Sequence, residues 1–163
     1  MVPNYNWREA LPYIEEPIIK LVQHHMAHPT WTVYDVHNYH RSKYVIREDG
    51  TKDYWAGIGY NYWIGFDGTI YEGRGRKRGA HAGAEWNGRS LGIGYQGHFN
   101  QQEMTDAQLR SGAWLNAILI VEDNFSVDDI IGHGDILSTS CPGKNFRMQE
   151  LREETQKLLP AGF

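Results

Sequence analysis

The sequence predicts an α/β fold in which a central mixed β-sheet is flanked by helices. Short runs of β-branched and aromatic residues alternate with segments of helical spacing, which is typical of a sheet covered by helices. No repeat or Ser/Gly linker divides the chain, so we expect residues 1–163 to form a single domain. The chain has only one cysteine, so the fold must depend on packing, with or without a metal, rather than on an internal disulfide.

Strand signals are concentrated in the first two thirds of the chain. Segment 18–25, IIKLVQHH, follows a proline and is predicted to be a mostly buried strand. Helical spacing of apolar residues predicts a helix over residues 34–44. Segment 59–74 has two aromatic and β-branched runs around an Asp-Gly pair, which favours a hairpin turn. Segment 89–97, RSLGIGYQG, is predicted to be a strand whose glycines allow other groups to approach closely.

A long helix is predicted in the last third of the chain. Thr105 and Gln108 have the spacing of a capping box, which marks the start of a helix. Apolar residues then recur at helical spacing and predict one buried face, made of Leu109, Ala113, Trp114, Ala117, Ile118 and Val121. Segment 128–133, DDIIGH, is predicted to be a short strand, and residues 146–158 a closing helix.

Charge and hydropathy argue against some classes of partner. A formal net charge of -4 and a pI near 6.0 give no reason to expect nucleic acid as the main partner. The basic cluster in residues 74–78 is interpreted as a solvated loop, and contact with the carboxylates of a peptide ligand or with an anionic polymer is the alternative. No apolar run is long enough to span a bilayer, and the N-terminal residues lack the pattern of a signal peptide. We therefore expect a monomer that is made in the cytoplasm and does not insert into membranes.

The single cysteine, Cys141, lies eight positions after His133 in the stretch GHGDILSTSCPG. His24 and His25 end the first predicted strand, where a side chain would project at the rim of the sheet. Zinc accepts imidazole nitrogen and thiolate sulfur, and catalytic zinc sites use three protein ligands and a water. Two histidines and one cysteine therefore fit a catalytic zinc site better than a closed structural one. Spacing alone leaves open that Cys141 is only a small buried apolar residue.

Three segments share their order and spacing with one known family. They are IGYNYWIGFDGTIYEGRG, GAHAGAEWNGRSLGIGYQGHF and GHGDILSTSCPG, and the similarity extends over roughly residues 18–150. Together they resemble the type-2 N-acetylmuramoyl-L-alanine amidases, a superfamily that includes bacteriophage endolysins and the animal peptidoglycan-recognition proteins. The resemblance implies the fold of that superfamily.

The resemblance also implies a zinc site. His24 matches the first ligand of the family, although Met26 stands where the family usually has Thr or Ser. Adjacent strand residues face opposite sides of a sheet, so only one of the two histidines can face the metal, and His25 remains the alternative. His133 and Cys141 match the second and third ligands.

Catalytic and substrate-binding positions follow from the same resemblance. Tyr60 and Thr139 match catalytic positions, where a hydroxyl can stabilise developing charge. His81 and Asn87 match positions that line the substrate groove, and a loop held by local hydrogen bonds is the alternative interpretation. One branch of the family has a glutamate base where this chain has Gly94, so no carboxylate base is expected. His40 is expected to pack rather than to bind metal.

The function that the resemblance implies is zinc-dependent hydrolysis of the amide between N-acetylmuramic acid and L-alanine in bacterial peptidoglycan. The protein is expected to be a bacteriolytic phage endolysin, which stays in the host cytoplasm until a holin opens the membrane. An exported bacterial autolysin is the alternative. Non-catalytic peptidoglycan-binding members typically lack the cysteine ligand, which this chain has. A cysteine hydrolase, with Cys141 as nucleophile and His133 as base, and a polymerase regulator are further alternatives.

Overall fold

The computed structural model describes residues 1–163 and contains seven β-strands and four α-helices. The strands are β1 (Lys20–His25), β2 (Tyr44–Ile46), β3 (Lys52–Tyr54), β4 (Tyr62–Ile64), β5 (Ile70–Glu72), β6 (Ser90–Tyr95) and β7 (Ile130–Gly132). The helices are α1 (Val33–Ser42), α2 (Gly83–Asn87), α3 (Asp106–Asp123) and α4 (Met148–Leu158). Two 3₁₀ turns, Val127–Asp129 and His133–Asp135, flank β7.

Five strands form the central sheet, in the order β5-β4-β6-β1-β7. Strand β1 is parallel to both of its neighbours, β6 and β7, and β4 is parallel to β6. Strands β4 and β5 form an antiparallel hairpin around the turn at Gly68, whose φ is 84°. The sheet is therefore mixed, and the predicted fold class is confirmed.

The two faces of the sheet carry separate apolar clusters. Alternation along β1 sends Leu21 into the larger cluster, which also contains side chains of α3 and α4 such as Leu119 and Leu151. The smaller cluster lies on the opposite face, where Val36 of α1 packs with Trp63 of β4. His24 is on the α1 side of the sheet, in register with Gly94 of β6. The side chain of His24, near the end of β1, therefore lies on the face of the sheet that α1 covers.

The helix start predicted at Thr105 is confirmed, but part of the predicted buried face of α3 is wrong. The Thr105 hydroxyl accepts from the Gln108 backbone, and the Gln108 side chain accepts from the Thr105 backbone, which completes a capping box. Trp114 and Val121 are 55% and 43% exposed. The buried face instead includes Asn116, because its amide is paired with the buried side chain of Gln23 on β1.

The sequence did not predict the small antiparallel sheet that follows α1. Helix α1 ends at Ser42, and Tyr44 begins β2, which pairs with β3. Both strands have mostly exposed side chains, so no buried alternation marks them in the sequence. No helix of the structure is both long and apolar enough to cross a membrane.

Candidate metal centre

Three sequence-distant side chains meet at the carboxyl end of the central sheet. Strands β1 and β7 are parallel neighbours, so their C-terminal ends bring His24 beside His133, with ring centroids 4.5 Å apart. The loop after β7 folds back through a hydrogen bond from the Gly134 amide to the Cys141 carbonyl (2.8 Å), which returns the cysteine to the two histidines. One donor atom from each of these three side chains lies within 4.8 Å of the others.

His25 lies outside this cluster. Its Nδ1 accepts a hydrogen bond from the Phe99 amide (3.0 Å), and its ring packs against His98 at 5.2 Å between centroids. Because side chains alternate along β1, the face that holds His24 cannot also hold His25. Of the two histidines that the sequence left open as the first ligand, the structure brings His24 to Cys141 and His133.

The donor set fits a zinc ion. Nδ1 of His24 lies 3.7 Å from Sγ of Cys141. Zinc–sulfur and zinc–nitrogen bonds of about 2.3 and 2.0 Å at a tetrahedral angle would separate these two atoms by roughly 3.5 Å. Nε2 of His133 is buried and has no hydrogen-bond partner, as expected of an atom whose partner is a metal. Two imidazole nitrogens and a thiolate leave a fourth position for water in a tetrahedral site.

Burial sets the protonation of the three donors. It lowers the pKa of His24 and of His133, so both imidazoles are neutral near pH 7 and each offers a lone pair. Burial also raises the pKa of the Cys141 thiol to about 12. Without a bound cation, the side chain of Cys141 is therefore a thiol rather than a reactive thiolate. Its sulfur contacts Nδ1 of His24 and the backbone carbonyl of His25. This arrangement disfavours Cys141 as a nucleophile that acts without a metal.

Tyr60 lies beside the cluster, in space that a glycine provides. Its ring centroid is 5.2 Å from that of His24, and the residue is 8% exposed. A Cβ at Gly94 would lie 2.7 Å from Cδ2 of Tyr60, so any larger residue there would displace the ring. The tyrosine therefore occupies the space above position 94, and β6 carries no carboxylate there. Burial raises the pKa of Tyr60 above its ordinary value, which keeps the hydroxyl protonated.

His81, Asn87 and Thr139 all border the same cleft. Nδ1 of His81 lies 2.9 Å from Nε2 of His24. The Asn87 side-chain oxygen accepts from the backbone amides of His81 and Ala82 and so holds the loop before α2. The Thr139 hydroxyl oxygen accepts from the Cys141 amide at 3.2 Å. His40 is buried, and its Nδ1 accepts from the Gly59 amide (2.8 Å), so it packs as expected.

The cleft has a volume of about 470 Å³ and includes residues that the sequence reasoning missed. These are Lys43, Trp55, His98, Asn100 and Ser140. Lys43 is the only Lys, Arg, Asp or Glu that borders it. Its ammonium lies 4.6 Å from the ring centroid of Trp55 and makes no ion pair. A lysine at the end of a surface helix has no distinguishing sequence pattern, so only the fold places it at the cleft.

The interpretation of the basic run 74–78 as a solvated loop is wrong for its first residue. Arg74 is 7% exposed and donates to the backbone carbonyls of Ile58 and Gly57. Arg76 pairs with Glu122 and Asp123 of α3. None of the basic side chains of this run borders the cleft. Lys77 instead lies over the ring of Tyr13, and Arg78 donates to the backbone carbonyl of Ala84.

Comparison with known proteins agrees with this fold. The sequence profile of the N-acetylmuramoyl-L-alanine amidase family, Amidase_2, matches residues 15–144. Peptidoglycan-recognition protein SC2 of Drosophila melanogaster is 42% identical over 93 residues, which are 56% of this chain and 50% of that protein. The chain thus spans about half the length of this relative. Peptidoglycan-recognition protein 2 of Holotrichia diomphalia is 33% identical over 144 residues, or 80% of this chain and 70% of that protein.

Solved structures of both kinds of protein share the fold. The N-acetylmuramoyl-L-alanine amidase LysC from Clostridium intestinale URNW superposes with a TM-score of 0.80 at 32% identity, covering 95% of each chain. The bumblebee PGRP-SA structure superposes with a TM-score of 0.73 at 26% identity, covering 90% of this chain and 87% of that one. With its fold, its three convergent donors and a profile match over most of its length, the chain belongs to the N-acetylmuramoyl-L-alanine amidase family.

Proposed function

We propose that this protein is a zinc-dependent N-acetylmuramoyl-L-alanine amidase that releases stem peptides from the glycan strands of bacterial peptidoglycan. The observation that carries the proposal is the convergence of His24, His133 and Cys141 within 4.8 Å at the floor of an open cleft. A binding protein needs no cluster of metal-ligating atoms at this place, whereas a hydrolase of an unreactive amide has a direct use for one.

Hydrolysis requires that two unreactive partners be activated together. The amide is a poor electrophile, and water is a poor nucleophile at neutral pH. Bound by the two imidazoles and the thiolate, zinc would polarise the amide carbonyl and lower the pKa of a water molecule toward 7. His24 and His133 must reach the ion as neutral imidazoles, and burial keeps them in that form. No carboxylate borders the cleft, so proton transfer must use the hydroxyl groups, the imidazoles or water.

In this proposal, two hydroxyl groups stabilise the charge that develops on the carbonyl oxygen. The Tyr60 hydroxyl stays protonated because the side chain is buried, so it is available as a donor. The Thr139 oxygen accepts from the Cys141 amide, which leaves its hydrogen free to donate toward the cleft. In this proposal Tyr60 and Thr139 are catalytic residues, and each acts only once the substrate amide is bound.

The cleft suits a glycopeptide with free carboxylates. Trp55 offers an aromatic face at its border, and Lys43 offers a cation that no protein carboxylate neutralises. The absence of Asp and Glu from the border avoids repulsion of an anionic stem peptide. In this proposal, His81 and Asn87 line the groove that holds the substrate.

A non-catalytic peptidoglycan-binding protein of the same fold is the main alternative, because proteins named for recognition are among the relatives. The complete set of three donors favours the enzyme over this alternative. We also propose that the protein is a phage endolysin. It would be made in the host cytoplasm and would reach the cell wall after holin-type release. A bacterial autolysin is the alternative source.

Mass analysis of fragments from purified peptidoglycan tests the proposed reaction. The zinc-loaded protein is expected to produce glycan strands with free lactyl carboxylates and peptides with a new N-terminal L-alanine. The Cys141→Ser variant serves as the matched control and should give neither product. New sugar reducing ends, or cut cross-bridges with the lactyl amide intact, would overturn the proposed specificity.

A further inference from the structure

A chain of polar contacts leads away from the metal cluster into the protein. Nε2 of His24 lies 2.9 Å from Nδ1 of His81. On the other side of that ring, Nε2 of His81 lies 3.5 Å from the hydroxyl oxygen of Ser90. The Ser90 hydroxyl in turn donates to the backbone carbonyl of Trp86 (2.7 Å). His24 and Ser90 are 2% and 0% exposed, so water does not substitute for these partners.

The last contact fixes the direction of the others. A backbone carbonyl can only accept, so the single Ser90 hydrogen is committed to Trp86, and the Ser90 oxygen can only accept from His81. His81 is buried without a carboxylate partner, so its ring is neutral and carries one hydrogen, on Nε2. Nδ1 of His81 is then an acceptor, and Nε2 of His24 must be the donor to it.

This assignment determines which nitrogen of His24 is free. With its hydrogen on Nε2, His24 has its lone pair on Nδ1. Nδ1 is the atom that lies 3.7 Å from Sγ of Cys141. The series of hydrogen bonds that begins at the Trp86 carbonyl therefore leaves the lone pair of His24 on Nδ1, the nitrogen that faces the metal cluster.

Two glycines provide space for the His81 ring. A Cβ at Gly92 would lie 2.5 Å from Cγ of His81, and one at Gly79 would lie 2.6 Å from its Cδ2. The His81 backbone amide is also fixed, because it donates to the Asn87 side chain at 2.9 Å. The ring is thus held by packing from both sides as well as by its hydrogen bonds.

We propose that His81 is a positioning residue, which accepts the Nε2 hydrogen of His24 and so presents Nδ1 of His24 to the metal, with Ser90 fixing the tautomer of His81. The inference rests on the proposed role of His24 as a metal ligand. Because this partner is a neutral imidazole rather than a carboxylate, it orients the ligand without adding negative charge to the centre. Removal of such a partner typically weakens metal affinity by about 10–100-fold.

The variants His81→Asn and His81→Leu test this role as a matched pair, because the Asn and Leu side chains have nearly the same shape. In His81→Asn, the side-chain oxygen occupies the place of Nδ1 and can still accept from His24, whereas in His81→Leu nothing can accept. We expect His81→Leu to raise the zinc dissociation constant about 10–100-fold, and His81→Asn to remain within about threefold of the wild type. Zinc affinity is measured by competition with a chromophoric chelator, and thermal melts of the metal-free proteins report folding. Equal affinities for the Leu and Asn variants would overturn the proposal.

Nitrogen-15 NMR of the imidazoles provides a readout that does not depend on activity. In the zinc-loaded wild type we expect His24 to be bound through Nδ1, with a protected proton on Nε2. Coordination through Nε2 would contradict the assignment. In Ser90→Ala, which keeps the His81 ring, the Nε2 proton of His81 should lose its protection, and this test remains available if His81→Leu does not fold.

The outcomes separate this inference from the proposed function. If zinc binds as expected in the wild type and the His81 variants but no amide is cleaved, the proposed reaction fails and the positioning role stands. If the wild type cleaves the amide and His81→Leu binds zinc as tightly as the wild type, the positioning role fails alone.

Discussion

The sulfur of Cys141 lies 3.7 Å from Nδ1 of His24, although 117 positions separate the two residues in the sequence. Parallel pairing of β1 with β7 places the ends of these strands at one edge of the sheet, and the loop after β7 returns the cysteine to that edge. The contact is therefore a product of sheet topology.

Replacement of the sulfur should abolish hydrolysis without abolishing wall binding. We expect Cys141→Ser to lose peptidoglycan lysis and most of its zinc affinity, because a serine hydroxyl is a poor replacement for a thiolate ligand. The cleft itself remains, so co-sedimentation with purified walls should stay close to that of the wild type. Lysis at the wild-type rate by this variant, measured as loss of turbidity, would contradict the assignment.

The two adjacent histidines should respond differently to the same change. His25→Asn preserves an acceptor for the Phe99 amide and should keep about one zinc per chain. His24→Asn removes a donor of the cluster and should fall well below that stoichiometry. Metal analysis of the two purified proteins distinguishes them, and the reverse order of zinc contents would make His25 the ligand.

Loss of the Tyr60 hydroxyl should slow the reaction and leave the metal in place. Tyr60→Phe keeps the ring that packs above Gly94, so folding and zinc content should not change. Removal of one donor to a developing oxyanion typically costs about 10²–10³ in kcat. Steady-state hydrolysis of a defined muramyl peptide measures the effect, and an unchanged kcat would remove Tyr60 from the catalytic set.

Charge removal at Lys43 should affect the recognition of anionic substrates. Lys43→Met is expected to raise KM for a stem peptide with free carboxylates more than for the same peptide with its carboxylates amidated, with little change in kcat. Lys52→Met is the matched control, because the Lys52 ammonium also lies over an aromatic ring, that of Tyr44, but outside the cleft. If both variants discriminate between the two peptides as the wild type does, Lys43 has no role in recognition.

The buried histidines should make the metal-free protein sensitive to acid. Burial lowers the pKa of His40 to about 3, below its unfolded value of 6.5, so the unfolded chain binds the proton more readily. Stability is therefore complete above pH 6.5 and is lost as the pH falls toward the folded pKa, by up to about 1.4 kcal/mol per pH unit. His40→Asn retains an acceptor for the Gly59 amide and should show a shallower loss. Urea unfolding at pH 7.5 and 5.5 with chelator present measures this difference, and parallel losses would contradict it.

Local patterns predicted much of the fold because the interactions that form those elements are local. The capping box at Thr105, the Asp-Gly turn between β4 and β5 and the buried strand that ends at His25 all depend on residues a few positions apart. The glycines of β6 were predicted to admit a close approach, and the rings of His81 and Tyr60 make that approach at Gly92 and Gly94.

The remaining features depend on partners that are distant in the chain. Helix α3 is apolar on most of its surface, so its sequence does not reveal that Trp114 faces solvent while Asn116 pairs with Gln23. The exposed strands β2 and β3 have no buried face to produce a pattern. The contact between His81 and His24 joins residues 57 positions apart, and only the assembled sheet brings them together.

X-ray absorption at the zinc edge of the purified, zinc-loaded protein tests the central claim most directly. The account predicts one sulfur neighbour at about 2.3 Å, two imidazole nitrogens near 2.0 Å and one further light atom from solvent. Cys141→Ser should lose the sulfur contribution. A wild-type spectrum without sulfur, or with four protein ligands and no solvent atom, would contradict a hydrolytic zinc centre at His24, His133 and Cys141.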